Sequence, residues 1–207
     1  MKKRINGQVK DMKITVYGAA SNRIDKKFYD AGFELGKALG ERGHSLVYGA
    51  GSEGLMGAVS QGFKAAGAFV HGVIPKFFEE NGYENIFYEA DKITYTETMA
   101  ERKAIMEDEC EAFIITPGGI GTFEEFFQVI TLKQLGRHQK AIALYNAHGY
   151  FNELNTLMKT SIEKGFINKE CAKLAKSFDN IDELIEYVEN YSPNDIEWTM
   201  LKRNLPK

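Results

Sequence analysis

The sequence predicts an α/β protein, a doubly wound parallel sheet in a single domain. Three observations predict it. Short runs rich in β-branched and aromatic residues alternate with longer stretches whose apolar residues recur at three- and four-residue steps, the pattern of successive βαβ units. Several of the short runs end in glycine and lead straight into the next helical stretch. At 207 residues the chain has the length of one ordinary domain, ~100–200 residues being usual, and no repeat, linker or low-complexity segment divides it.

Residues 1–12 begin MKKRINGQVK, basic but without the apolar run of a signal peptide, and read as an N-terminal extension. KITVYGA (13–19) is a first strand, closed by glycine. Residues 25–42 form a helix on the spacing of Phe28, Ala31, Leu35, Ala38 and Leu39, with Gly43 as its stop. HSLVYGA (44–50) is a second strand. Residues 54–67 are a helix, glycine-rich on one side, which predicts close packing on the sheet. AFVHGVIP (68–75) is a third strand, closed by proline. Residues 76–91 have no clean period and read as a loop with at most a short helical turn.

KITYT (92–96) is a weak fourth strand. A helix over 98–109 follows, capped by Thr96 or Thr98. AFIITPG (112–118) is the most hydrophobic strand, and 121–136 the next helix. KAIALYN (140–146) is a strand, 150–164 a helix ending at Gly165, KLAKSF a short last strand, and IDELIEYVENY (181–191) an amphipathic helix. The domain thus runs 13–191, with 192–207 as a C-terminal tail.

Composition narrows the function classes. A net charge of -3 does not favour a nucleic-acid surface. No apolar run approaches the ~20 residues that span a bilayer, so no membrane partner is expected and the cytoplasm is the default compartment. Cys110 and Cys171 have neither CxxC spacing nor clustered histidines and read as buried thiols, with no metal expected.

In such a sheet ligands bind beyond the carboxyl ends of the strands, and three strand ends are rich in small residues. The first carries Gly18, Ala19, Ala20 and Ser21, the second Gly49, Gly51, Gly54 and Gly57, and the third Gly118, Gly119 and Gly121. Glycine admits a ligand to the backbone N–H groups, and a helix N-terminus adds unpaired donors and partial positive charge. Together these predict phosphate binding. GAGSEG also satisfies GxGxxG. It follows the second strand, however, and no later acid fills the ribose-binding part of a dinucleotide site. Arg102 and Lys103 lie near the start of a helix, where cations oppose the dipole and either meet an anion or face solvent. Glu124 and Glu125 fall in the first turn of the helix after the third loop. At ~100° per residue they point apart, so only one of them faces the site.

These residues resemble the LOG family, the cytokinin riboside 5′-monophosphate phosphoribohydrolases, often misnamed lysine decarboxylases. PGGIGTFEE is similar to the family's PGGxGTxxE, MAERKAIM to its MxxRKxxM, and YGAGSEGLMG to its GGGxxGLMG loop. GVIP and QLGRHQKAIALYNAHGYFNEL match two further stretches, all in order between about residues 13 and 167. The resemblance implies a Rossmann-like fold, a homodimer with shared active sites, no cofactor, and hydrolysis of the N-glycosidic bond of nucleoside 5′-monophosphates to free base and ribose 5-phosphate. It places the catalytic pair on Arg102 and Glu125, singling out Glu125 over Glu124. The phosphate loop falls on Pro117, Gly118, Gly119, Gly121 and Thr122. Gly18 and Ser21, Gly49, Gly51 and Gly54, and Met99 and Lys103 complete the expected substrate-binding set. The chain departs from the family at Ala100, where many members have histidine, at Ala50, which interrupts a triple glycine, and at GAAS, which replaces Gly-Ser-Ser with Ser21 one place later. These positions bear on base and ribose contacts and leave the Arg–Glu pair intact.

A binding protein of the same fold, holding a nucleotide or phosphorylated cofactor without turnover, is the alternative. The carboxylate argues against it, because phosphate binding alone has no use for one. In the hydrolytic reading a carboxylate stabilises charge on the ribose carbon, orients ribose hydroxyls or activates water. Arg102 either pairs with phosphate or holds Glu125 ionised.

Overall fold

The structure is a computed structural model that describes residues 11–196 and residue 201. Most of the expected N-terminal extension and much of the 192–207 segment lie outside these residues. The strands are β1 Lys13–Tyr17, β2 Ser45–Tyr48, β3 Val70–Pro75, β4 Lys92–Thr96, β5 Ala112–Ile115, β6 Ala141–Tyr145 and β7 Lys176–Phe178. The helices are α1 Lys26–Glu41, α2 Gly54–Ala65, α3 Lys76–Glu80, α4 Met99–Glu109, α5 Ile120–Gln134, α6 Asn152–Glu163 and α7 Ile181–Asn190. All neighbouring strands are parallel, in the order β4-β3-β2-β1-β5-β6-β7. The chain winds outward from β1 in both directions. Its switch point lies between β1 and β5, where a doubly wound sheet opens its ligand crevice.

Alternation along the strands sorts the core into two layers. Ile14, Val16, Leu46, Tyr48 and Ile114 meet Leu35 and Leu39 of α1, Leu55, Val59 and Phe63 of α2, and Leu184, Ile185 and Val188 of α7. Tyr17, Val47, Phe113 and Ile115 face the other way, onto Met106 of α4, Phe126, Val129 and Ile130 of α5, and Phe151. Both faces of the central strands are covered, which is why β5 reads as an unbroken apolar run.

Gly62 of α2 serves a different purpose from the one expected. A Cβ on Gly62 would lie 2.2 Å from the carbonyl oxygen of Phe33, and one on Gly36 of α1 would lie 2.1 Å from that of Val59. They let two helix backbones touch, rather than letting a helix lie close on the sheet. Within α4's first turn the cap is Thr98, whose hydroxyl accepts from the Glu101 N–H at 3.1 Å. Thr96 instead donates to the Thr98 carbonyl.

The 76–91 segment contains the five-residue α3, and the rest is held down by specific bonds. Ser52 N–H donates to the Asn85 carbonyl, Phe87 N–H to the Ala50 carbonyl, and Gly51 bridges to Ile86. Ala50 sits at φ 67°, a left-handed conformation that disfavours a side chain. It is completely buried there, directly against Gly72.

Past α7, Pro193–Asp195 form a 3₁₀ turn, and Ile196 and Leu201 are buried on the second core layer. The expected tail segment therefore sends two apolar side chains onto the domain. Lys133 of α5 is also fully buried: its ammonium donates to the Leu174 carbonyl at 2.7 Å and lies 4.6 Å from the Tyr191 ring. Burial pulls its pKa down to about 7. Cys110 and Cys171 are free and buried, as expected. Among the described residues, no helix is long and apolar enough to cross a membrane.

Candidate active site

The three small-residue loops meet at the carboxyl ends of β1, β2 and β5, but they differ in what their backbone groups do. Ala19 N–H donates to the Pro117 carbonyl, which ties the first loop to the third. Met56 N–H donates to the Ala19 carbonyl and Gly54 N–H to Asn22 Oδ1. The start of α2 thus spends two of its orphan donors inside the protein. α5 begins after Gly119 with no side-chain cap. The first-turn N–H groups of a helix have no intrahelical partner, so the α5 N-terminus is the end of this site that offers donors to an anion.

The glycines of the third loop divide in the same way. A Cβ on Gly118 would sit 2.1 Å from Thr122 Oγ1, so packing alone demands glycine there. Gly119 and Gly121 are exposed, and a Cβ on either would meet no atom within 4 Å. Nothing in the protein needs glycine at those two positions, which suits a ligand approaching the backbone from outside. Pro117 and Thr122 are buried beneath the loop, and Tyr150 donates its hydroxyl to the Gly118 carbonyl at 2.6 Å.

Arg102 is 6% exposed. Its Nε donates to the Val73 carbonyl at 3.1 Å and its Nη2 to the Gly49 carbonyl at 3.2 Å, across the ends of β3 and β2. Its guanidinium lies over the Phe78 ring, 5.6 Å from the centroid. Gly49 belongs to this seat: a Cβ there would fall 1.9 Å from Arg102 Nη2. The first glycine of GAGSEG thus makes room for the arginine, while Gly51 lies under Met56 and Glu84, and Gly54 adopts φ 62° against the Ala19–Ser21 backbone. Gly18 is likewise fixed by packing, on Thr116. Ser21 is exposed and accepts from the Arg23 N–H.

The two glutamates separate as their spacing predicts, although α5 starts at Ile120, so they lie past its first turn rather than within it. Glu124 points outward and pairs with Lys103, whose Nζ is 2.5 Å from Glu124 Oε1 and 2.6 Å from Gln128 Oε1. Lys103, expected among the substrate contacts, thus has its charge engaged by α5. Met99 touches Arg102 through its sulfur at 3.8 Å. Glu125 turns inward. Burial pushes its pKa up to about 7; Arg102 opposes the shift, and the charges of Glu124 and Glu84 add to it. A carboxyl that titrates near neutrality beside a fixed guanidinium and an open helix N-terminus can accept a proton or meet a developing cation at physiological pH.

Residues without any motif complete the site. Glu84 and Tyr17 bring a buried carboxyl oxygen and a buried hydroxyl that have no hydrogen-bond partner among the described residues. Burial and the charge of Glu125 push the Tyr17 pKa well up. A cleft of about 380 Å³ runs along Ser21, Gly51, Glu53, Phe78, Tyr83 and Glu84. Tyr17 was legible only as a residue of the first strand. Glu84 lay in the segment that showed no period.

Comparison with known proteins agrees with this geometry. The family model described as possible lysine decarboxylase matches residues 56–188. A cytokinin riboside 5′-monophosphate phosphoribohydrolase of Arabidopsis thaliana is 39% identical over 189 residues, covering 90% of this chain and 85% of its own. A probable enzyme of the same name from Oryza sativa subsp. japonica is 40% identical over 178 residues, 86% and 83% of the two chains. In fold, the chain is similar to the molybdenum cofactor carrier protein of Chlamydomonas reinhardtii, with a TM-score of 0.64, 22% identity, and coverage of 87% of this chain and 97% of that one. It is also similar to the molybdenum cofactor binding protein of Rippkaea orientalis, with a TM-score of 0.65, 18% identity, and coverage of 88% and 98%. With its motifs lying where the loops, Arg102 and Glu125 converge, the chain belongs to the LOG family.

Proposed function

We propose that this protein is a phosphoribohydrolase that cleaves the N-glycosidic bond of nucleoside 5′-monophosphates, AMP or N6-modified cytokinin riboside monophosphates, releasing free base and ribose 5-phosphate. The observation that carries the reading is an uncapped helix N-terminus and an inward carboxylate on one helix, beside a buried arginine. The phosphate docks on the first turn of α5, and its binding energy places the sugar without touching the bond that breaks. Glu125, about one and a half turns along, faces the ribose and stabilises the positive charge that grows on C1′ as the base departs. Arg102 holds Glu125 toward its ionised form and helps orient the substrate. The named activity of the Arabidopsis and rice relatives supports the same chemistry.

Incubation with a panel of nucleoside monophosphates and the corresponding nucleosides tests this reading. AMP or an N6-modified relative is expected to release base, and the unphosphorylated nucleoside to be slower by ~10³-fold, as remote binding energy is withdrawn. Equal rates on the two would refute the phosphate site. Tight binding of the monophosphate with no release of base would favour the carrier alternative.

We further propose that the chain forms a homodimer through the outer face of α5. Phe127 of that helix and Leu135, which caps its C-terminus, are 40% and 62% exposed, and Leu157 of α6 is 57% exposed, although Phe126, Val129 and Ile130 already fill the core. Light scattering at micromolar concentration is expected to give twice the 23.3 kDa chain mass; a single chain mass would contradict the proposal.

A further inference from the structure

A departing purine needs a proton, because the bare anion is a poor leaving group, and the Arg102–Glu125 pair does not supply one. Arg102 does not deprotonate in proteins. Lys103 is engaged by Glu124 and Gln128. Glu125 is useful to the ribosyl cation only as a carboxylate.

We propose that Glu84 is the acid that protonates the departing base, with Phe78 and Tyr83 as walls of the base cleft; this rests on the hydrolase reading above. Four observations carry it. Glu84 lines the 380 Å³ cleft together with Phe78 and Tyr83, whose rings meet edge to face at 5.9 Å, a lining suited to a flat heteroaromatic ring. Its Oε2 is shut off from solvent, has no hydrogen-bond partner among the described residues, and lies 3.4 Å from where a Cβ on Gly51 would be. A buried carboxyl oxygen left without a partner is a cost that a ligand nitrogen removes.

The third observation is position. Met56 touches both seats: its Sδ lies against Gly49 beside Arg102, and its methyl against Gly51 beside Glu84. The charges of Glu84 and Glu125 also act on each other. The acid is therefore a neighbour of the Arg102–Glu125 pair, against the loop that follows β2 rather than the one that follows β5. The fourth is rigidity. The Glu84 backbone is flanked by the Ser52–Asn85, Ala50–Phe87 and Gly51–Ile86 ties, and Asn85 Nδ2 donates to Glu53 Oε1 at 2.6 Å.

Burial raises the Glu84 pKa, against the lowering effect of Arg102 and with a smaller upward push from Glu53. A base that fills the cleft displaces the remaining water and pushes it further in that direction. Both carboxyls are shifted upward by burial, so it is position that divides their tasks, Glu84 lying along the cleft with Phe78 and Tyr83. In the step itself the C1′–N electron pair leaves with the base, and the Glu84 proton goes to a ring nitrogen of that base. A water oxygen bonds to C1′ while its proton passes to the Glu125 carboxylate. Solvent then reprotonates Glu84 and takes the proton from Glu125. The net change is nucleoside monophosphate plus water to base plus ribose 5-phosphate.

The test is Glu84→Gln assayed on two substrates: the nucleoside monophosphate that the wild type cleaves fastest, and 4-nitrophenyl ribofuranoside 5-phosphate, whose leaving group departs without a proton. The variant is expected to lose on the order of 10²-fold or more in kcat on the nucleotide and to stay within a few-fold of wild type on the nitrophenyl substrate, which also shows that it is folded. Equal losses on both substrates, or no loss on either, would overturn the assignment of Glu84 while leaving the hydrolase reading intact. If the wild type released no base from any monophosphate, the hydrolase reading itself would fail and take this assignment with it.

Discussion

Glu125→Gln is expected to lower kcat on nucleoside monophosphates by on the order of 10²-fold or more while leaving nucleotide binding intact, the signature of a group that acts on the transition state. Gln keeps the size of the side chain and removes the charge that would meet the ribosyl cation. On 4-nitrophenyl ribofuranoside 5-phosphate, whose leaving group needs no acid, wild-type turnover should climb as pH rises through about 7, where Glu125 ionises, and the residual rate of the variant should lack that limb. Stability should move the opposite way. The Glu125 pKa is raised in the fold from 4.5 to about 7, so ionisation works against folding. This penalty is absent below the unfolded value, grows between about pH 4.5 and 7, and is constant above. Discounted for the part of the side chain open to water, it is about 1–2 kcal/mol, so above pH 7 the variant should melt about 2–6 °C higher than wild type. Glu124→Gln is the control. It removes a half-exposed ion pair with Lys103 and should be nearly silent in turnover. Steady-state kinetics with melting curves at pH 5 and 8 check all of this; similar behaviour of the two variants would remove Glu125 from its role.

Gly49→Ala is expected to cost on the order of 10²-fold in kcat/KM with little loss of fold. Gly49 does not have a positive φ, so alanine meets no backbone strain there. Its methyl would, however, stand 1.9 Å from Arg102 Nη2 and 3.1 Å from Met56 Sδ. The far end of a long side chain yields more easily than a backbone, so the arginine leaves its bonds to the Val73 and Gly49 carbonyls, and Tm should fall by no more than ~5 °C. A displacement of about 1 Å at such a group is enough for a loss of that size. Arg102→Lys should lose about as much, because an ammonium does not reproduce the planar fork. The double variant should be no worse than either single one, since both remove the same seated guanidinium. Full additivity in kcat/KM would show that Gly49 serves the ligand directly rather than the arginine.

Much of this was legible along the chain. Short runs rich in β-branched and aromatic residues located all seven strands, and stretches of period 3.6 the long helices, because buried strands and one-sided helices write their burial into composition and spacing. Glu124 and Glu125 were separable for the same reason, since adjacent helical residues point about 100° apart. The resemblance in PGGIGTFEE and MAERKAIM then pointed to Arg102 and Glu125. The glycines were not separable in this way. Sequence shows only that a Cβ is missing, and what would have met it depends on a backbone from elsewhere in the chain. Gly36 and Gly62 turned out to join two helices, Gly49 to seat Arg102, and Gly118 to clear Thr122, leaving Gly119 and Gly121 open to a ligand.

Local pattern by itself thus determined the α/β class and the order of its elements, whereas the Arg–Glu pair was implied by the resemblance of its motifs to a known family. Only the tertiary structure decided which helix N-terminus stays open to an anion, since Asn22 and the Ala19 carbonyl use donors of α2 and no side chain caps α5. It alone brought Glu84 into the site, from a segment without periodicity that β2's loop holds in place through backbone hydrogen bonds. The physical reason is common to both cases. Secondary structure is set by neighbours a few residues apart, whereas burial, donor satisfaction and the pKa of a carboxyl are set by whatever the fold brings alongside.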